Sequence, residues 1–358
     1  MPERRSARLS IEVPERRSGR CRELGHSDLA TWVRVGSCGT RRTVSTALDD
    51  GVERSRKGWN MADRELRTVA DGFTYLEGPR WHNGELWFVD FYTKTVNRVD
   101  AAGTVHQEAV VEAQPSGLGW LPDGRMLVVS MKDRRVLRQE ADGTLVEHAN
   151  IHDLCTGHAN DMVVAPNGNA YIGNFGFDLM GGADHEFATV VLVRPDGSAQ
   201  IVAENMSFPN GMVITPDEKT LIVNELFGNR VSQFDINADG TLGERRDFAN
   251  FGDLGDESSV DARLAAATIV PDGLALDAEG AVWIADCVNA RAARIKDGKI
   301  VDEVSTAPNG VFAVALGGED GKTLFMCLAP DFDEAKRTAA REGFMAATEV
   351  DVPHAGTP

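Results

Sequence analysis

Apolar and polar positions alternate with a period of two along most of this chain, and short runs of Gly, Asn, Asp and Pro interrupt the alternation. The clearest stretch runs from Pro271 to Asp286, PDGLALDAEGAVWIAD. Leu274 and Leu276 alternate with small residues, Ala278-Glu279-Gly280 supplies a tight turn, and Val282-Trp283-Ile284-Ala285 is a β-rich return. That pattern predicts a hairpin. It recurs as EGPRWHNGELWFVD from Glu77, SGLGWLPDGRMLVVS from Ser116, NDMVVAPNGNAYIGN from Asn160 and NGMVITPDEKTLIVN from Asn210. A looser sixth copy, NGVFAVALGGEDGKTLFMCLA, begins at Asn309. No single hairpin can bury its own apolar face, so six copies predict a repeat architecture.

The spacing identifies the architecture. The second residues of the copies are 78, 117, 161, 211, 273 and 310, with gaps of 39, 44, 50, 62 and 37 residues. A four-stranded propeller blade takes roughly 40–50 residues. The two widest gaps contain Gly-rich polar inserts, around Asp178 to Gly182 and Gly252 to Ala267. Period-two alternation punctuated by Asn-Gly, Asp-Gly and Pro-Asp excludes a solenoid of helical pairs. The expectation is all-β: a six-bladed β-propeller with four antiparallel strands per blade. A strand at Leu66 to Val69 is expected to pair with one at Phe344 to Val352 and close the ring, with a short helix at Asp333 to Glu342 between blade strands.

Charge divides the chain. Residues 1–60 carry 13 basic and 8 acidic side chains, whereas residues 61–358 carry 24 and 47. An acidic body lacks the basic footprint of nucleic-acid binding. The Arg-, Ser- and Gly-rich first 60 residues hold no repeat copy and no apolar h-region, so a disordered leader ahead of a start at Met61 is expected, or a mis-assigned start, with 61–358 as one propeller domain. No stretch approaches the roughly 18 apolar residues of a membrane span. The five cysteines, Cys21, Cys38, Cys155, Cys287 and Cys327, form no CxxC pair and no even framework, which favours a reducing, cytoplasmic setting. Cys155 falls in a loop, where it is either a reactive thiol or an ordinary buried one.

In a propeller the innermost strands run the same way, so the residues that open them lie on one rim of the channel. Those residues are Glu77, Ser116, Asn160, Asn210, Asp272 and Asn309. Asn and Asp suit turns in any case, but a ring of side-chain oxygens around an axis also suits a hard cation. Glu77 and Asp272 would offset a divalent charge, Asn160 and Asn210 would add neutral donors, and Ser116 and Asn309 would line the channel toward the substrate. An oxygen-only set favours calcium, with magnesium, manganese or zinc as alternatives and a structural zinc site disfavoured. The second-strand ends, Asp90, Ser130, Asn174, Asn224 and Asp286, are expected around the mouth as supporting or substrate-contact groups. Met131, Phe175, Phe177 and Phe227 lie just past those ends and would make the mouth apolar.

Four motifs, Glu77-Gly-Pro-Arg-Trp, His158-Ala-Asn160-Asp161, Pro209-Asn210-Gly211 and Pro271-Asp272-Gly273-Leu274, resemble those of the gluconolactonase, regucalcin (SMP-30) and luciferin-regenerating-enzyme family. The similarity runs from about Val69 to Val352. It implies a six-bladed propeller with one catalytic divalent cation at the positions of Glu77, Asn210 and Asp272. Asn160 would bind the metal or the substrate, and Asp272 is the family's usual candidate base. Sugar-lactonase members usually carry Arg where this chain has His158, so the resemblance implies a lactone less polar than an aldonolactone.

These features point to a metal-dependent hydrolase acting on a small-molecule lactone or ester. The cation would polarise the ester carbonyl, and Asp272 and His158 are the rival bases. His158 would also contact substrate. No Gly-x-Ser-x-Gly elbow or phosphate-binding loop is present. Two alternatives remain open: the same site working on phosphotriester or organofluorophosphate bonds or in a lyase step, and a non-enzymatic propeller with a structural calcium.

Overall fold

The computed structural model describes residues 64–255 and 257–356. The expectations for residues 1–60, including Cys21 and Cys38, lie outside the described residues. Among the described residues, twenty-four strands form six separate four-stranded antiparallel sheets. Blade 1 begins with the strand Leu76–His82, blade 2 with Pro115–Trp120, blade 3 with Ala159–Val164, blade 4 with Pro209–Ile214, blade 5 with Pro271–Leu276 and blade 6 with Gly310–Gly317. Each of these strands packs against the next, and the last packs against the first. They therefore form the wall of a central channel.

Local chemistry explains the hairpins. In blade 1, Asn83 and Gly84 both take positive φ (52° and 81°), the backbone that a two-residue hairpin turn demands. On either side Trp81 pairs with Leu86 and Arg80 with Trp87. Apolar residues then fill the spaces between neighbouring blades. Leu127, Val129 and Val136 of blade 2, for example, pack with Met162, Ile172 and Val191 of blade 3.

The ring closes as expected. In blade 6 the strand Arg67–Phe73 lies outside Gly343–Glu349, followed inward by Thr323–Ala329 and Gly310–Gly317. The last sheet thus draws on both ends of the described chain, which leaves no unpaired edge at the seam. The two inserts also lie where expected, at residues 175–187 and 251–270. The second contains α1 (Val260–Ala266), capped by Ser259 Oγ. Helix α2 (Glu334–Ala339), capped by Asp333, interrupts blade 6. The inserts meet where His185 N–H donates to Ser258 O at 2.8 Å. No helix among the described residues is long and apolar enough to cross a membrane.

Candidate functional site

Every innermost strand slips register by one residue just after it begins. The shifts fall between Glu77 and Arg80, Pro115 and Leu118, Ala159 and Met162, Pro209 and Met212, Pro271 and Leu274, and Val311 and Ala313. Such a bulge re-aims the side chains around it. A small residue after the ring position lets neighbouring blades approach. A Cβ on Gly211 would lie 2.5 Å from Leu274 N, and one on Gly273 would lie 2.6 Å from Ala313 Cα. Likewise a Cβ on Gly117 would lie 2.3 Å from Met162 N.

This packing puts residues 117 and 161, 211 and 273, and 273 and 313 at one level. The preceding residues, Ser116, Asn160, Asn210, Asp272 and Phe312, occupy the level above, with Glu77 in the equivalent place in blade 1. The sixth position therefore belongs to Phe312, not Asn309, which is a correction of the sequence alignment. Asn309 sits in a turn three residues earlier, half-buried, with its N–H donating to Thr306 O and its carbonyl accepting from Thr306 Oγ1. The pairing Val311–Leu328 precedes the shift in blade 6 and moves the ring residue along the strand. The small Ala313 in Val-Phe-Ala-Val was the signal that the Asn309-Gly310 alignment missed.

The five polar ring residues are all buried. Ser116 Oγ donates to Asn160 Oδ1 at 3.1 Å, and Glu77 Oε2 accepts from Gly78 N–H at 3.0 Å. Burial pushes the Glu77 carboxyl well above the usual carboxylate range, and the negative charges of Asp272 and Asp161 push the same way. Asp272 is raised as well, by burial first and Asp161 next, while the Asn210 amide beside it pulls downward. Asp272 Oδ1 is buried without a hydrogen-bond partner, as is Asn224 Oδ1. Asn224 Nδ2 donates to Asp272 O at 2.7 Å and Gly273 O at 3.3 Å, fixing the Asp272 backbone from blade 4.

Two charged residues that the sequence reading left unassigned belong to the same channel. Arg80 Nη2 donates to Asp161 Oδ1 at 2.6 Å and Met162 O at 2.7 Å. Both lie inside motifs visible in the sequence, but their meeting joins blade 1 to blade 3 across 81 residues. Three buried carboxyls (Glu77, Asp161 and Asp272) thus act on one another, and the Arg80 guanidinium acts on Glu77 and Asp161. Two buried carboxyls whose surroundings disfavour the anion, plus a buried carboxyl oxygen without a donor, fit a divalent cation, which would stabilise both in the charged form. The oxygen donors available for it are Glu77, Asn160, Asn210 and Asp272. Among the described residues no cluster of three or more His, Cys, Asp or Glu could hold a metal ion, and two of these four donors are amides.

His158 is half-buried at the entry to blade 3, and its ring lies 5.6 Å from that of Phe175. Burial and the Lys132 charge pull its imidazole below the usual value, which keeps it neutral and able to take a proton at neutral pH. Aromatic residues gather at this end of the channel. Phe208 lies 4.3 Å from Phe175 and 5.4 Å from Phe227, and Tyr75 lies 4.8 Å from Phe312. The Tyr75 phenol is held neutral by burial and by the Glu77 and Asp272 charges. Met131, Phe175, Phe177 and Phe227 share one apolar cluster with these rings and are buried in it.

Of the two roles expected for the second-strand ends, the structure favours the supporting one. Asp90, Ser130, Asn174, Asn224 and Asp286 are all at most 1% exposed, which removes them from substrate contact. Asp90 and Asp286 hold the segments that enter the innermost strands of blades 1 and 5: Asp90 accepts from Thr74 N–H and Tyr75 N–H, and Asp286 from Val270 N–H. In blade 4 Glu225, not Asn224, takes this role, pairing with Pro209 and accepting from Ser207 N–H at 2.7 Å. The Cys155 thiol is buried and pushed up to about 12, so it is an inert packing group.

A family model described as SMP-30/Gluconolactonase/LRE-like region matches residues 76–329. The 6-deoxy-6-sulfogluconolactonase of Pseudomonas putida is 25% identical over 289 residues, covering 79% of this chain and 93% of that protein. Regucalcin of Gallus gallus is 24% identical, covering 73% of this chain and 85% of that protein. A crystal structure of a calcium-binding protein, regucalcin, from Agrobacterium tumefaciens has the same fold, with a TM-score of 0.66 at 20% identity over 82% of this chain and 97% of that one.

Proposed function

The chain belongs to the SMP-30/gluconolactonase/LRE-like family, and on that premise we propose that it is a divalent-cation-dependent hydrolase that opens a lactone. The observation that carries the proposal is the buried, unpartnered Oδ1 of Asp272, a carboxyl that lies beside the Asn210 amide and acts on the buried Glu77 carboxyl. The lactonase names of relatives support the reaction class. Regucalcin relatives, and the structural neighbour described as a calcium-binding protein, favour calcium as the ion.

When bound, the cation would supply Lewis acidity toward the ester carbonyl oxygen. Asn160, fixed by Ser116 Oγ, orients the substrate or completes the donor set. Asp272 or neutral His158 takes the proton of the attacking water. The same group returns it to the ring oxygen as the acyl C–O bond breaks, yielding a hydroxy acid. A carboxylate held by a cation is a weakened base, which favours His158 for the proton. His158 in place of a bidentate guanidinium, beside Phe175 and Phe208, favours a lactone with fewer hydroxyls than an aldonolactone.

The test is a pH-stat assay over a panel of sugar, aliphatic and aryl lactones, with calcium, magnesium, manganese or zinc added in turn. The expected result is hydrolysis abolished by a chelator and restored by cation. Cation-independent hydrolysis, or none of any lactone, would overturn the proposal.

A further inference from the structure

We infer that Arg80, clamped against Asp161 in the channel, sets the net charge that the ring presents and so tunes it to a doubly charged ion. The inference rests on the reading that the ring holds a cation. Arg80 lies three residues beyond Glu77 on the innermost strand of blade 1, on the far side of the bulge. Its guanidinium spans to blade 3 and meets three acceptors: Asp161 Oδ1, Met162 O and, from Nη1 at 2.9 Å, Pro79 O. Blade 2 crosses this level with Gly117 and Gly119, where added Cβ atoms would collide with blade 3. The fork is therefore fixed.

The charged groups around the site are few. Counted with the ion in place, Glu77, Asp161 and Asp272 are negative carboxylates, Arg80 is positive, and the side chains of Ser116, Asn160, Asn210, Phe312 and Tyr75 are neutral. The sum is two negative charges. The Arg80 and Asp161 side chains are 8% and 10% exposed, so water screens them little. A void of about 20 Å³ adjoins Arg80, Leu276 and His354, room for about one water. A doubly charged ion brings this set to neutrality. Without Arg80 the set carries three negative charges, and without the Asp161 charge it carries one. Arg80 is thus a positioning residue that acts on the ion through the field, without touching it.

The test measures terbium(III) and calcium(II) affinities of the full chain, by terbium luminescence and competition, for wild type, Arg80→Met, Asp161→Asn, the double variant and Arg80→Lys. Each added or removed unit charge acts more on a trivalent than on a divalent ion. Arg80→Met should raise the terbium-to-calcium affinity ratio about tenfold or more, and Asp161→Asn should lower it similarly. The double variant should return to within about threefold of wild type, and Arg80→Lys should hold the wild-type ratio. A purely structural pair predicts that both ions weaken alike in both single variants, leaving the ratio unmoved, and that result would overturn the inference. Wild-type protein that binds neither ion would overturn the cation reading and this inference together; binding with unmoved ratios removes Arg80 alone. If circular dichroism shows Arg80→Met unfolded, Asp161→Asn and Arg80→Lys decide the matter.

Discussion

Replacing Asn224 with Ala removes a side chain that fixes the backbone of Asp272 from outside its own blade. Asn224 is fully buried at the end of a strand of blade 4, and its Nδ2 donates to Asp272 O at 2.7 Å and Gly273 O at 3.3 Å. The shorter bond has good geometry, and the longer one is marginal. Leaving a buried carbonyl without a donor costs about 1–3 kcal/mol. The truncated carboxamide also leaves a small gap, so a total of about 2–3 kcal/mol is expected. At about 2–4 °C per kcal/mol for a domain of this class, the melting temperature should fall by roughly 4–12 °C. Asn224→Asp is the sharper companion. It keeps the shape but turns a donor into an acceptor facing two carbonyls and adds a charge beside Asp272. It should be less stable than the alanine variant in chelator. Differential scanning calorimetry gives both numbers, and lactone kcat at saturating calcium tests positioning, since an error of an ångström near the reacting atoms can cost about a hundredfold. An alanine variant within a degree of wild type, or an aspartate variant more stable than it in chelator, would refute this account of Asn224.

Three further outcomes are expected. Glu77→Gln and Asp272→Asn should both weaken calcium binding; at saturating calcium Glu77→Gln should recover, while Asp272→Asn should stay about 10²–10⁴ slower if Asp272 is the base, and equal recovery in a kcat titration would leave His158. His158→Arg should move kcat/KM toward sugar lactones, and an unchanged sugar-to-aliphatic ratio would take residue 158 away from the substrate. His185, bonded to Ser207 Oγ at 2.7 Å, is lowered from 6.5 to about 4, chiefly by burial and then by the Arg263 charge. Between those values the unfolded chain binds a proton that the folded one refuses, so stability is lost as pH falls from about 6.5 toward 4; His185→Gln should flatten that part of the melting-temperature profile, and an unchanged slope would contradict the shift.

The propeller was legible because its determinants are local and repeated. Alternation in Val282-Trp283-Ile284-Ala285 and turn residues such as Asn83-Gly84 specify hairpins within a few residues of chain, and their spacing counts the blades. The polar ring at Glu77, Ser116, Asn160, Asn210 and Asp272 followed from the same repetition, because equivalent strand positions reach equivalent places around an axis. What failed was the position where repetition weakens. Blade 6 lacks the Asn/Asp-Gly signature at its bulge, so a one-dimensional alignment seized on Asn309-Gly310, whereas the packing of Gly273 against Ala313 puts Phe312 on the ring. Asp90 and Asp286 look in sequence like mouth residues, yet folding buries them against backbone N–H groups of the entering segments. Only the tertiary structure could join Arg80 to Asp161, or Asn224 to the carbonyl of Asp272, since each link crosses between blades and depends on bulges and close approaches that no local pattern encodes. The sequence by itself determined the blades and the oxygen-rich rim. The net charge of the channel and the partners that hold its carboxylates were decided by packing, because electrostatics acts through space while periodicity acts along the chain.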